Sequence, residues 1–187
     1  MTSTQIAVAS IIVIALVAAA ILVFMRSRTK KLRARFGPEY NRAVEETGSR
    51  YRGEAKLEGL ERRVKRYPLR ALSSADRDRF QQSWRTIQAT FVDDPDRALT
   101  DADQLLGTVM SSRGYPLSDF EHRAAELSVD HATVVEHYRA GHEIETRHAL
   151  GKATTEELRQ GMIHYRVLFE ELMEEPEPLR ARAAGRS

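Results

Sequence analysis

The chain of 187 residues contains no cysteine, which excludes disulfide bonds, thiolate metal sites, cysteine nucleophiles and lipid attachment through cysteine. Its net charge is only +2, but the charges are segregated, because residues 26–70 hold 15 Lys/Arg against 6 Asp/Glu and residues 71–177 hold 11 against 21. A basic segment of net +9 therefore precedes an acidic segment of net −10, and the length allows one domain of ordinary size beside accessory segments.

Residues 6–25 form an uninterrupted apolar run of twenty residues in which Ser10 is the only polar side chain. At about 1.5 Å per residue, a helix of this length crosses the roughly 30 Å hydrocarbon layer of a bilayer. Residues 1–5 carry no charged side chain, and the small residues of the run lie inside it rather than at its end. Both features argue against a cleaved signal peptide. We predict a retained transmembrane helix over residues 6–25.

A cluster of basic side chains follows this run directly. The positive-inside rule then places residues 1–5 outside and the rest of the chain in the cytoplasm, which predicts a single-pass protein of the plasma (inner) membrane. The same side chains are expected to contact anionic lipid headgroups. Nucleic acid is not an expected partner, since few aromatic residues accompany the cluster. The cluster consists of Arg26, Arg28, Lys30, Lys31, Arg33 and Arg35.

Residues 26–72 are predicted to form a basic, helical juxtamembrane stalk. Gly37 and Pro38 should end the first helix and start a second, because proline suits the first helical position. Further along, apolar residues recur at 3-4-3 spacing over less than two heptads, which leaves both packing on the distal domain and weak self-association open. These residues are Leu57, Leu60, Val64 and Tyr67.

Residues 73–173 are predicted to form an acidic helical bundle. Ser73 with Asp76 indicates the start of one helix, and Asp94 with Pro95 indicates the start of the next. Each carries an apolar stripe of helical period. The stripes are Phe80, Trp84, Ile87 and Phe91 in the first helix, and Leu99, Ala102, Leu106 and Val109 in the second.

Three further helices are predicted in this region. Ser118 with Glu121 should cap a short one, a longer one should run over about residues 131–150 to Gly151, and Thr154 with Glu157 should cap the last. The last helix carries Leu158, Met162, Tyr165, Phe169 and Leu172. The expected fold class is therefore all-α: a transmembrane helix, a stalk and an irregular bundle of about five helices. Residues 174–187 have too few apolar side chains to fold and should be disordered.

Four stretches resemble a family of uncharacterised bacterial single-pass membrane proteins. The resemblance implies the same membrane-anchored architecture. It implies no activity, cofactor or catalytic residue for this chain. The stretches are LRARFGPEYNRAVEETGSR at 32–50, FVDDP at 91–95, RGYPLSDFEHRAAELSVDH at 113–131 and ATTEELRQGMIHYRVLFEEL at 153–172.

Five of the six histidines lie within 27 residues. Glu145 and His148 form a Glu-x-x-His element, which places two metal ligands on one helix face in di-iron bundles. The nearest second element, Asp119 to His122, begins with the wrong acid on a short helix. His142-Glu143 begins like a zinc-protease motif, but threonine occupies the position of the second histidine. The sequence thus predicts no metal site and no cofactor, with His142, Glu145 and His148 as the candidate ligands if one exists.

Other catalytic signatures are missing from the sequence, including the phosphate-binding P-loop, the dinucleotide glycine fingerprint and the Gly-x-Ser-x-Gly elbow. We therefore predict no catalytic residue. The favoured function is a membrane-anchored, cytoplasmic-side interaction or scaffolding module whose partners are the lipid bilayer and an unknown protein. The alternative is a metal- or ligand-binding helical enzyme that uses the His/Glu cluster of residues 137–148, namely His137, His142, Glu145 and His148.

Overall fold

A computed structural model describes the backbone of residues 3–174 and the side chains from residue 11 onward. Throughout this stretch the regular elements are helices, which confirms the all-α class. They are α1 (Ser3–Phe36), α2 (Pro38–Thr47), α3 (Arg50–Val64), α4 (Ser74–Asp93), α5 (Pro95–Ser112), α6 (Phe120–Leu127), α7 (Val135–Ala149) and α8 (Thr155–Met173). Of the tail predicted to be disordered, residues 175–187 lie outside the described residues.

Helix α1 continues from the apolar run into the basic cluster without a break. It is the one helix of the described chain that is long and apolar enough to cross a membrane, and its most apolar window has a mean hydropathy of 2.2 with none of it buried. Gly37 ends the helix with φ of 50°, a conformation that favours glycine. Pro38 then opens α2, so the predicted break at these two residues is confirmed.

The chain divides into two compact units, Met1–Leu57 and Glu58–Ser187. In the first unit, the end of α1 and helix α2 bury Leu32, Phe36, Tyr40 and Ala43. The division falls inside α3, whereas the sequence interpretation began the distal domain at residue 73.

Side-chain caps fix the starts of the helices in the second unit. Ser73 Oγ accepts a 3.1 Å hydrogen bond from the backbone N–H of Asp76 at the start of α4. Asp94 Oδ1 accepts a 3.0 Å bond from the N–H of Arg97 at the start of α5. Helix α8 begins with a complete capping box formed by Thr154 and Glu157. The predicted starts of these three helices are confirmed.

The predicted cap of the short helix is wrong. Asp119, not Ser118, is the N-cap of α6, and its Oδ1 accepts a 3.0 Å bond from the N–H of His122. The helix begins one residue later than a Ser118 cap requires, because the Asp119 carboxylate is also a strong cap. Ser118 Oγ is buried without a hydrogen-bond partner among the described residues. Helix α7 likewise begins at Val135, four residues after its predicted start.

In the second unit, α5 packs against both α4 and α8, and α7 packs against α8 and α6. The stripe residues predicted on α4, α5 and α8 enter one hydrophobic core, with Phe91 only partly buried. Arg113 is 1% exposed, and its Nη1 donates a 2.7 Å bond to the carbonyl of Leu172. This bond ties the C-terminal end of α5 to that of α8.

Candidate functional site

Helices α5 and α7 bring three ionisable side chains together at the edge of this core: Asp103, His142 and Glu145. One nitrogen or oxygen atom from each of them lies within 4.8 Å of the others. The side chains are 17%, 34% and 23% exposed, respectively. The cluster, hereafter the Asp103–His142–Glu145 cluster, is therefore shielded by protein but reachable from solvent.

Helical spacing accounts for the position of each member. His142 and Glu145 lie three residues apart on α7, so they share one face. Asp103 follows the fully buried Ala102 on α5 and thus lies at the border of the apolar stripe. Asp103 lies beside His142, in the middle of α7. Asp96, two turns earlier on α5, pairs with His148, near the C-terminal end of α7, at 2.9 Å. The two helices therefore run antiparallel past the cluster.

The imidazole of His142 is held by an aromatic contact. It stacks on the ring of Phe120 from α6, with centroids 3.6 Å apart and planes 16° from parallel. Its Nδ1 lies 3.5 Å from Oε2 of Glu145. That nitrogen is buried and makes no hydrogen bond within the described chain. The ring is thus fixed with a nitrogen that faces the carboxylate at a distance longer than that of a normal hydrogen bond.

The carboxylate of Glu145 is held from α8. The hydroxyl of Tyr165 donates a 2.9 Å hydrogen bond to its Oε2. Gly141 makes this contact possible, because a Cβ at that position would lie 2.4 Å from Tyr165 Cε1. Burial, followed by the negative charge of Asp103, raises the pKa of Glu145. Two carboxylates therefore share a site with little solvent to separate them.

Two buried oxygens at the cluster make no hydrogen bond of normal geometry among the described residues: Asp103 Oδ1 and the hydroxyl of Tyr138. Tyr138 is fully buried. Its ring centroid lies 4.8 Å from that of Phe120 and 6.2 Å from that of Tyr165, which places it beside the cluster. Burial first, and then the charge of Asp103 and a weaker hydrogen-bond interaction with it, raise the pKa of its hydroxyl. Arg123 from α6 supplies the positive charge, with Nη2 at 3.4 Å from Asp103 Oδ2. Buried polar atoms of this kind are normally satisfied by a partner.

The other histidines are engaged elsewhere. His148, one of the predicted candidate ligands, pairs with Asp96 and is not part of the cluster. His137, also named in the alternative function, has its Nδ1 2.9 Å from Nδ1 of His164 on α8. His122 pairs with Asp119 and His131 with Glu171. Of the three predicted candidate ligands, the structure therefore brings His142 and Glu145 together, and it adds Asp103 to them.

The predicted headgroup contacts lie on the last three turns of α1, and some of them also make contacts inside the first unit. The guanidinium of Arg28 lies 3.7 Å from the carboxylate of Glu54. That of Arg33 lies over the ring of Tyr40, 4.9 Å from its centroid. The side chains exposed to solvent are Arg26, Lys30, Lys31, Arg33 and Arg35.

A buried carboxylate organises this first unit. Oε1 of Glu54 accepts hydrogen bonds from Thr29 at 2.7 Å, Tyr40 at 2.9 Å and Arg50 at 3.1 Å. Burial alone would raise the pKa of Glu54, but these hydrogen bonds outweigh it and lower the pKa. The donors come from α1, α2 and α3, so one side chain links all three helices. Because Oε1 of Glu54 already accepts three hydrogen bonds, we assign this carboxylate a structural role.

A shallow groove lies between α4 and α8. Trp84 and Phe169 stack at its base with ring centroids 4.8 Å apart, and Arg85 and Arg166 line it. The groove is open to solvent, so it lacks the desolvated polar groups that a chemical site needs. The Asp103–His142–Glu145 cluster is the stronger candidate.

The chain was compared with protein-family models, with curated proteins and with solved structures, and none of the three comparisons found a match.

Sequence reasoning missed Asp103, Arg123, Tyr138 and Tyr165 as members of the site. One signal was present for Asp103, since a charged residue directly beside the apolar stripe of α5 is a boundary position. The hydroxyls of Tyr138 and Tyr165 gave no such signal, because tyrosine is common in cores of this kind. Their partners are set by contacts between helices far apart in the sequence.

Proposed function

We propose that this chain is a single-pass protein of a bacterial inner membrane whose cytoplasmic-side helical domain is a protein-interaction or scaffolding module. One observation carries the proposal: the large apolar side chains of residues 11–25 are 47–70% exposed along α1. An exposed apolar surface of this length is costly in water, at roughly 25 cal/mol per Å². Lipid is the cover that fits its length and composition.

The charge distribution supports a division of roles. In this proposal, residues 26–72 form a basic stalk that is drawn to anionic headgroups, and residues 73–173 form an acidic bundle of about five helices that is repelled from them. The bundle then presents its surface to the cytoplasm. Residues 1–5 lie on the extracytoplasmic side of the membrane, because the basic residues all follow the apolar run.

The outer face of α7 supports an interaction role. Glu136 and Glu143 lie two turns apart on this face, and both are exposed. Neither forms an ion pair among the described residues, whereas the intervening Arg139 pairs with Glu121 at 2.8 Å. Two free carboxylates on one face are suited to a partner with a basic surface.

Reporter fusions at the C-terminus test the orientation. A reporter that is active only in the periplasm should be inactive on the wild-type chain, and a cytoplasmic fluorescent reporter should be active. Replacing Arg26, Lys30 and Lys31 by Glu should invert part of the population, because these exposed residues set the charge bias. The same change at Arg62, Lys65 and Arg66 is the control, since these basic residues come much later in the sequence than the apolar run. Periplasmic activity of the wild-type fusion would contradict the proposed orientation.

Crosslinking in native membranes tests the interaction role. Full-length protein should crosslink a defined partner in a pattern that the double variant Glu136→Lys, Glu143→Lys loses. The variant with substitutions at Arg62, Lys65 and Arg66 should retain it. If the α7 variant kept every crosslink of the wild type, the acidic face would not be the interaction surface.

A further inference from the structure

We infer that Asp103, His142 and Glu145 bind one divalent transition-metal ion, through a carboxylate oxygen of each acid and Nδ1 of His142. The site is independent of the membrane role. It unites α5 and α7 of the second unit, and its ligands are not consecutive in the sequence.

The distances are close to those of a coordinated ion. With ligand bonds of about 2.1 Å, the donor atoms of a tetrahedral site lie about 3.4 Å apart. Nδ1 of His142 already lies 3.5 Å from Oε2 of Glu145. The whole set lies within 4.8 Å, so rotation of the Asp103 carboxylate on its side-chain torsions is the main adjustment required.

The unsatisfied atoms point to a missing cation. Asp103 Oδ1 and His142 Nδ1 are both buried and make no hydrogen bond of normal geometry among the described residues, although Asp103 interacts more weakly with Tyr138 and His142 with Glu145. Both can donate an electron pair, so a metal ion between them would satisfy the two atoms together. The Tyr138 side chain is fully buried, and its hydroxyl makes no hydrogen bond of normal geometry within the described part of the chain. This hydroxyl would then lie close enough to bond a water coordinated to the ion.

The charge balance supports the same conclusion. Two carboxylates face one guanidinium, that of Arg123, which lies 3.4 Å from Asp103. When both acids are ionised, the cluster has an excess negative charge in a partly desolvated position. Such a position is unfavourable unless a cation compensates it. A divalent ion bound to neutral His142 supplies that compensation in place of the proton that the imidazole would otherwise carry.

The donor set selects the class of metal. One imidazole nitrogen and two carboxylate oxygens suit Zn²⁺, Mn²⁺ or Fe²⁺, whereas Ca²⁺ and Mg²⁺ are bound by oxygen ligands. Three protein ligands leave a further position for water, as in catalytic rather than structural zinc sites.

The surrounding contacts are those expected of a supported metal site. Tyr165 donates to Glu145, and Phe120 stacks on His142. Arg123 lies beside Asp103. Groups in these positions orient ligands and affect metal affinity.

Calorimetry on the full chain tests the proposal. The protein is purified in detergent with a tag that contains no histidine, stripped with a chelator, and titrated with Zn²⁺ and separately with Mn²⁺. We expect one equivalent of at least one of these ions to bind saturably. His142→Asn, Glu145→Gln and Asp103→Asn should each weaken binding by about 100-fold or more.

Matched controls separate ligation from unfolding. His137→Asn and Glu143→Gln change side chains of the same helix outside the cluster, since His137 contacts His164 and Glu143 is exposed. Each variant should bind the metal with an affinity within about threefold of wild type. Circular dichroism checks that every variant is helical. Tyr138→Phe should keep the stoichiometry of one, because its hydroxyl is not a ligand.

Co²⁺ provides a spectroscopic readout of the ligands themselves. The wild-type chain should show the visible absorption bands of low-coordinate Co²⁺, and His142→Asn should lose them. Absence of saturable binding to the wild type would overturn the proposal. Binding by folded His142→Asn and Glu145→Gln variants that equals wild type would overturn it as well.

Discussion

The hydroxyl of Tyr165 donates a 2.9 Å hydrogen bond to Oε2 of Glu145, and this bond joins α8 to the polar cluster on α7. Tyr165 is fully buried, so its hydroxyl has no access to water as an alternative partner. The bond therefore holds the carboxylate in a fixed orientation and satisfies a hydroxyl inside the core.

Replacing Tyr165 by Phe removes this bond while keeping the ring. We expect the free energy of unfolding to fall by about 1–2 kcal/mol, because one oxygen of a partly buried carboxylate loses its donor. Denaturant titration of the full chain in detergent measures the change. Tyr51→Phe is the control, since Tyr51 is 69% exposed. Equal stability of the two variants would show that the bond contributes nothing.

Replacing Gly141 by Ala tests the close approach of α7 and α8. A Cβ there would lie 2.4 Å from Tyr165 Cε1, so the ring must move and we expect a loss of about 1–3 kcal/mol. Gly59→Ala is the matched control in a helix, because the nearest atom to its Cβ is 3.9 Å away. That substitution should be neutral or stabilise the helix by about 0.5–1 kcal/mol. Thermal unfolding of both variants measures the change. A Gly141→Ala protein as stable as the wild type would contradict the close packing of Gly141 against Tyr165.

The capping box of α8 should make stability depend on pH in the acid range. The hydrogen bond with the backbone of Thr154, followed by that from the Arg147 side chain, lowers the pKa of Glu157 from 4.5 to about 2. A group with a lowered folded-state pKa stabilises the protein above its unfolded pKa, and this contribution is lost as the pH falls through the folded value.

Glu157→Gln should therefore be less stable than wild type near neutral pH, and the difference should shrink as the pH falls from 4.5 towards 2. Denaturant titrations at several pH values across this window measure it. Glu143→Gln, an exposed acid of α7 outside any cap, serves as the control. A difference between wild type and Glu157→Gln that stays constant across the window would refute the assignment.

Replacing Glu54 by Gln should loosen the first unit alone. The carboxylate accepts from Thr29, Tyr40 and Arg50, and loss of hydrogen bonds to a charged group costs about 1.5–3 kcal/mol. Hydrogen exchange should show faster exchange of α2 amides, while amides of α5 and α8 stay protected. Glu46→Gln is the control, because Glu46 is an exposed acid that pairs with Lys56. Unchanged α2 exchange in Glu54→Gln would contradict the role assigned to this carboxylate.

Most helix boundaries could be predicted because they depend on neighbouring residues. Ser73, Asp94 and Thr154 each bond a backbone N–H three residues ahead. Gly151 ends α7 with φ of 68°, and the N–H of Lys152 returns to the carbonyl of Arg147, as the Schellman motif requires. The cap of α6 was predicted wrongly because Ser118 and Asp119 are adjacent and both can cap. Local chemistry did not separate them.

The candidate site was only half predictable. His142 and Glu145 share a helix face whatever the tertiary fold, so their proximity follows from spacing. His148 satisfies the same spacing to Glu145, yet it pairs with Asp96, since the antiparallel run of α5 places that acid beside it. The partner of each ionisable group on α7 therefore depends on the register between two helices, which the sequence of α7 does not contain.

By itself, the sequence determined the helical class, most of the caps, the apolar stripes and the long apolar helix, because each depends on contacts within a few residues. The tertiary structure decided which polar groups are buried and with whom. Arg113 lies in the core bonded to the Leu172 carbonyl, and Asp103 lies beside His142 and Glu145. The physical reason is that the burial of a charge depends on partners brought from distant parts of the chain.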